Sequence, residues 1–389
     1  MNYMGMTDKN QPPGISNEST ESQIAQVQQE LSEMLADILA NECVAPTQHN
    51  LLQQQLDESE RKQKIKEEVL VYYFFLRPFV LPLIWLARPF YRGLKASLNA
   101  RLGNLNQYPP RELQIPANYY KKIPLANAPK ISIVTPSFNQ SEFIERTLKS
   151  VLDQSYPSLE FYVQDGGSSD GTLGVLRRYS DHLTGWASCQ DNGQSHAINV
   201  GFNKSSGEIM AWLNSDDILL PGALDYVAEY FIRHPDVDVV YGHRLLINHI
   251  DQQIGRWMMP AHDDTVLSWA DFIPQETMFW RRSIWEKSGG RIDETFQFAM
   301  DWDLLLRFRE AGACFVRLPR FLGGFRIHPQ QKTSAVLAEL GVQEMSRLRQ
   351  RALGRIPLRK EIGKAIRPYL LRHVATDLGW RIRNKLGFG

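Results

Sequence analysis

The chain has 389 residues, 43% of them hydrophobic, which is enough to bury at least one substantial core. Its 44 basic and 43 acidic residues leave a net charge of +1, which excludes the overall polyelectrolyte character of a nucleic-acid binder. Three isolated cysteines, with no CxxC or Cys/His spacing, exclude a zinc or disulfide framework and fit a reducing compartment.

Residues 1–20 are polar and lack the charged start and apolar core of a secretory signal, so they read as a disordered tail. Residues 21–68 are mostly good helix formers, with a break near "CVAPTQHN", and predict two helices; their apolar spacing is too irregular for a coiled coil. Residues 69–128 hold "VLVYYFFLRPFVLPLIWLARPFYRGLK" and then a linker. Arg77 lies inside that greasy stretch and Pro78, Pro82 and Pro89 interrupt it. A spanning helix would bury a charge at about 2.5–3.5 kcal/mol. An interfacial seat, with aromatic rings at the headgroups and Arg77, Arg88 and Arg92 on phosphates, is one reading, and a surface packed on protein is the other.

A new pattern begins at Lys130 and predicts a domain over 129–335. The runs "ISIVT" (131–135), "EFYVQ" (160–164), "IMAWLN" (209–214) and "VDVVY" (237–241) are strand-like, and amphipathic segments at 142–154 and 222–233 separate them. Strand alternating with helix predicts a largely parallel α/β sheet covered on both faces. Ligands bind such sheets beyond the carboxyl ends of the strands. Those ends here read "TPSFN", "DGGSSDGT" and "NSDD", and gather Asn139, Asp165, Asp170, Asp216 and Asp217. Adjacent carboxylates repel, so Asp216 and Asp217 form either a solvated turn or a site with a cation or a proton to handle; three polar tips in one sheet favour the site. Residues 336–389 form a basic helical tail, with twelve Lys or Arg against three acids after residue 340, a net of +9. That composition suits an anionic bilayer and looks dispensable to the sheet.

Taken in order, "SIVTPSFNQSEFIERTLKSVLDQSYPSLEFYVQDGGSSDGT", "DNGQSHAINVGF", "GEIMAWLNSDDILLPGAL", "PQETMFWRRSIWEKSGG" and "FAMDWDLLLRFREAG" resemble a family 2 glycosyltransferase, an inverting enzyme of the GT-A fold. The resemblance implies a Rossmann-like mixed sheet with helices on both faces, flanked here by helical extensions. It implies that Pro136, Asn139, Asp165, Asp191, Asn192 and Asn214 bind a nucleoside diphosphate sugar. Asp216 would hold Mn²⁺ or Mg²⁺ on the diphosphate, and a hard dication with oxygen ligands suits a leaving group that gains negative charge. Asn214 stands where the family usually has Asp. Asp301 would be the base that takes the acceptor proton, with Met300 in place of a common Glu. His328, in "FRIHPQQKTS", would complete the metal site or sit as a surface residue.

Gln253, Arg256 and Trp257 spell a Q-x-x-R-W motif of processive synthases, but they precede Asp301 by about 45 residues, so a single addition is the better reading. A dehalogenase-type phosphatase would need Asp at 214, and a sugar-nucleotide pyrophosphorylase would need a Gly-rich basic loop after the first strand. The alternative outside catalysis is a degenerate binding or scaffold protein. The acceptor is an unidentified glycan or lipid-linked hydroxyl, with no nucleic acid involved. The expected location is cytoplasmic, peripheral to the inner membrane face.

Overall fold

The computed structural model describes residues 107–329 and 340–385. The polar tail, the predicted helices over 21–68 and the aromatic stretch over 69–95 lie outside the described residues. The described chain runs β1 (Gln107–Arg111), β2 (Ile131–Ser137), α1 (Ile144–Leu152), β3 (Leu159–Asp165), α2 (Thr172–Tyr179), β4 (Gly185–Ser188), α3 (Gln194–Lys204), β5 (Ile209–Trp212) and β6 (Ile218–Leu219). It continues through α4 (Ala223–Arg233), β7 (Val239–Ile247), β8 (Gln253–Trp257), α5 (Asp264–Leu267), β9 (Phe279–Arg281), α6 (Arg282–Lys287) and α7 (Met300–Glu310). β10 (Phe315–Arg326), α8 (Val342–Leu353) and α9 (Arg359–Lys385) complete it.

Period-2 and period-3.6 patterns decide which side chains face which layer. Every residue of β2 is buried, because helices cover both faces of the sheet. Ile131 and Ile133 enter one hydrophobic layer and Val134 enters the opposite one. α1 buries Ile144, Thr147, Leu148 and Val151, the i, i+3, i+4, i+7 stripe of an amphipathic helix.

The strand order is β1-β8-β7-β9-β5-β2-β3-β4, with β10 pairing both β6 and β7. β5, β2, β3 and β4 are mutually parallel, which is the part that alternation predicts. β9 and β8 run antiparallel to their neighbours, so the sheet is mixed, as the GT-A resemblance implies. Simple alternation misses this half because β7 and β8 form a hairpin, which needs no crossover helix.

The basic tail is helical, but it is not dispensable to the domain. Leu348 of α8 and Tyr369 of α9 are both 0% exposed and sit in the same core cluster as Trp212, Trp280 and Trp302. Arg256 and Trp257 of the Q-x-x-R-W stretch serve this docking, whereas Gln253 holds β1. Arg256 Nε donates to Asp377 at 2.7 Å, the Trp257 ring stacks on His373 at 4.1 Å, and Gln253 binds the Tyr108 hydroxyl. Among the described residues no helix is long and apolar enough to cross a membrane.

Because Leu348 fills the core, Leu348→Ala should lower the unfolding free energy by about 2–5 kcal/mol. Urea denaturation measures it, and a change under about 0.5 kcal/mol, the range of surface substitutions, would return the tail to the periphery.

Candidate active site

Four strand-tip loops lock together at one end of the parallel strands. Asn139 adopts a left-handed φ of 51°; its backbone N–H donates to Ser168 Oγ at 2.7 Å and its Oδ1 accepts from Ser169 N–H at 2.9 Å. Asp170 accepts from Ser141 and Thr172 N–H groups; burial opposes its charge, but these hydrogen bonds bring its pKa down to about 2. Asp191 lies over Gly166, where a Cβ would come within 3.1 Å of both carboxylate oxygens. Gln194 Nε2 donates to Asn214 Oδ1 at 2.7 Å, tying the "DNGQ" loop to the acidic turn.

Not every expected donor residue faces the resulting cleft. Asp165 is fully buried, and its oxygens accept from Gly167 N–H, Ser168 N–H, Ser168 Oγ and Ser188 Oγ. It therefore shapes the "DGGS" loop from within. Pro136 is buried in β2 beside Gln164, whereas Asn192 is exposed. Phe138, between Pro136 and Asn139, is 61% exposed and offers an aromatic face that the sequence reading passed over.

The adjacent carboxylates of "NSDD" divide their tasks. Asp217 turns inward, where its Oδ1 accepts the Arg326 backbone N–H at 2.9 Å. Burial first, and then the Asp216 and Glu276 carboxylates, push Asp217 well above the usual carboxylate range. Asp216 stays partly exposed, with Oδ2 at 3.1 Å from His328 Nε2. The His328 side chain is only 3% exposed, so it is a buried partner of Asp216 and not a surface residue. A carboxylate and an imidazole fit Mn²⁺ or Mg²⁺ as two ligands. Among the described residues no third acid, cysteine or histidine joins them.

Asp301 stands in the first turn of α7, its Oδ1 accepting the Trp302 N–H at 2.8 Å. Asp271 neighbours it; burial and then the Asp301 charge raise the Asp271 carboxyl well above its ordinary range. α3 joins this end to the donor end, because Ser195 Oγ, one residue after Gln194, donates to Phe296 O at 3.1 Å just ahead of α7.

α7 has no local side-chain cap. Glu344 of α8 supplies one, with its buried carboxylate accepting the N–H groups of Gln297, Phe298 and Ala299 at 2.8, 2.9 and 2.8 Å. Asp303 is fully buried and bonds Arg307 at 2.8 Å and Arg351 at 2.6 Å. Between the two acidic ends, Arg244 makes a two-pronged pair with Glu276 at 2.7 and 2.5 Å. Burial works against the Arg244 charge, but Glu276, Asp217 and Asp271 outweigh it and hold its pKa above the ordinary value. Sequence reasoning missed Asp271, Arg244, Glu276 and Glu344; none has a local motif, since each finds its partner through the fold.

Residues 132–292 match the family model described as Glycosyl transferase family 2. These residues are a family 2 glycosyltransferase domain. The domain is similar to an uncharacterized glycosyltransferase of Rickettsia typhi, 23% identical over 228 residues, 55% of this chain and 69% of the relative. It is 28% identical to chondroitin synthase of Escherichia coli over 207 residues, 51% of this chain but only 30% of that enzyme. A crystal structure of S. aureus TarS 1-349 in complex with UDP-GlcNAc superposes with a TM-score of 0.49 at 19% identity, covering 63% of this chain and 73% of that one.

The trans cap makes a specific expectation for the glycosyltransferase. Glu344→Gln keeps one acceptor oxygen but turns an amide donor toward three N–H groups, so thermal or urea unfolding should show a loss of about 1–3 kcal/mol. Unchanged stability would mean that water serves these N–H groups equally well.

Proposed function

We propose that the domain transfers a single sugar from a nucleoside diphosphate sugar to an acceptor hydroxyl, with inversion and with a divalent cation. The observation that carries this reading is that α3 bonds both to Asn214, beside the Asp216–His328 pair, and to the segment before Asp301. A cation-type donor end and a carboxylate base are thereby held on one framework.

In this reading Phe138, Asn139, Asp191, Asn192 and Asn214 line the donor pocket, while Asp165 and Asp170 fix its loops. Asp216 and His328 would hold Mn²⁺ or Mg²⁺, which when bound supplies positive charge to the diphosphate. Asp301 takes the acceptor proton as the acceptor oxygen bonds the anomeric carbon. The carbon–phosphate oxygen bond breaks on the opposite face, and its electron pair leaves with the nucleoside diphosphate. Asp271 beside it is pushed toward its neutral form by burial and by the Asp301 charge, which lessens the repulsion between the two carboxyl groups.

The similarity to a chondroitin synthase supports a glycan acceptor in envelope or extracellular polysaccharide synthesis. Peripheral attachment to an anionic inner membrane face, with the domain in the cytoplasm, rests mainly on the aromatic stretch over 69–95. The tail contributes less than its charge suggests, because Arg351 and Arg372 pair with Asp303 and Asp263 of the domain and Arg349 binds the Trp269 carbonyl.

Asp301→Asn should leave donor binding near normal and lower turnover by about 10²–10⁴-fold, the usual share of a general base. Near-normal turnover would remove Asp301 from the mechanism. Chelation by EDTA, or Asp216→Asn, should abolish transfer and weaken donor binding in calorimetry. Transfer that persists at full rate in EDTA would sink the cation's role while leaving the base intact.

A further inference from the structure

A second cluster of guanidinium groups lies away from this cleft. Pro260, Ala261, Arg317, Arg372, Thr376 and Arg383 line an open cavity of about 670 Å³ between β10 and α9. Arg317 pairs in register with Tyr241 near the start of β10, whereas Arg326, which binds Asp217, stands near its end. Nine residues of strand separate the two, roughly 30 Å at about 3.3 Å per residue. The cavity is therefore distinct from the donor pocket.

Its cations are incompletely matched. Arg317 Nε is buried without a hydrogen-bond partner, so no described carboxylate or carbonyl of the domain offsets the charge there. Among the described residues neither Arg317 nor Arg383 makes an ion pair. No described acid lines the cavity, and those bonded to or next to its lining residues already have partners: Asp263 has Arg372 itself and the Thr265 and Val266 N–H groups, Asp264 has His262, and Asp377 has Arg256 and Arg381. The field is felt by a neighbour. Burial first, and then Arg317, His373 and Arg383, lower the His243 pKa to about 3 and keep it neutral. Neutral His243 accepts the Met259 N–H at 2.9 Å, which fixes the loop leading to Pro260.

We propose that this cavity binds a phosphate group, its oxyanion gripped by Arg317, Arg372 and Arg383. Planar guanidinium forks suit tetrahedral oxyanions, and three arginines lining one cavity suit one phosphate better than a diffuse acidic surface. The site does not depend on the transferase reading, since none of its residues belongs to the cleft. A free phosphoryl compound and a phospholipid headgroup present the same chemistry, and the experiment separates them.

The full chain is titrated with inorganic phosphate by calorimetry in EDTA, and in parallel floated with phosphatidylcholine vesicles with or without phosphatidylglycerol. Saturable phosphate binding is expected, unchanged in Asp216→Asn and about tenfold weaker or worse in Arg317→Gln and Arg383→Gln, as loss of one charge-assisted contact implies. Arg383 is exposed, so its variant carries the test if Arg317→Gln does not fold by circular dichroism. If free phosphate does not bind, but Arg383→Gln releases the chain from phosphatidylglycerol vesicles and Lys364→Gln, an equal charge loss outside the cavity, does not, the phosphate is a lipid headgroup. Equal behaviour of wild type and both arginine variants in both arms overturns the proposal. So does phosphate binding that is lost in Asp216→Asn, because that would place the anion in the donor pocket.

Discussion

The active-site end of this domain depends on the Arg244–Glu276 pair. Three carboxyl groups, Asp217, Glu276 and Asp271, act on one half-buried guanidinium, whose positive charge offsets their mutual repulsion. Removing one partner of a buried pair typically costs about 3–5 kcal/mol, because the other charge is stranded. The backbone is shaped to protect the pair. Gly323 of β10 passes so close to Glu276 that a Cβ would meet its carbonyl oxygen at 2.7 Å, so β10 can reach the pair only with glycine there. Arg244 thus links the donor turn and the base helix electrostatically, as α3 links them mechanically.

Around that pair the acids have unequal roles. Asp217 and Asp271 are pushed toward their neutral forms, while in the proposed reaction Asp216 and Asp301 are the two that act as carboxylates. Two neighbours that repel each other are thereby converted into one structural and one chemical group, at each end of the cleft. Asp165 shows a third outcome, with a carboxylate whose acceptor capacity is taken up by its own loop and by Ser188.

The strand tips, the acidic turn and the helix carrying Asp301 are legible in the sequence because each is a local pattern with a fixed period or spacing. The parallel strands and α1 were likewise readable from their burial stripes. What was not readable depends on partners far along the chain. Asp216 and Asp217 are chemically identical in sequence, and only the register of β10, which brings Arg326 to one and His328 to the other, tells them apart. The tail's charge count pointed to a surface module, because a count cannot show that Arg351 is spoken for by Asp303, 48 residues earlier. Leu348 and Tyr369 are too few to stand out against so many basic residues, yet they anchor both helices in the core.

The cap on α7 comes from 45 residues downstream of Ala299. A ribosome adding about 5–20 residues per second therefore exposes the base-bearing helix roughly 2–9 s before Glu344 has been polymerised. During that interval the helix start has three backbone donors with no carboxylate to receive them, and the layer that Leu348 later fills is open. The nascent domain thus passes through a stage in which the strand tips can be assembled while the segment ahead of α7 is still unsupported. Both α8 and α9 have yet to arrive at that stage, since Leu348 and Tyr369 complete the same core layer.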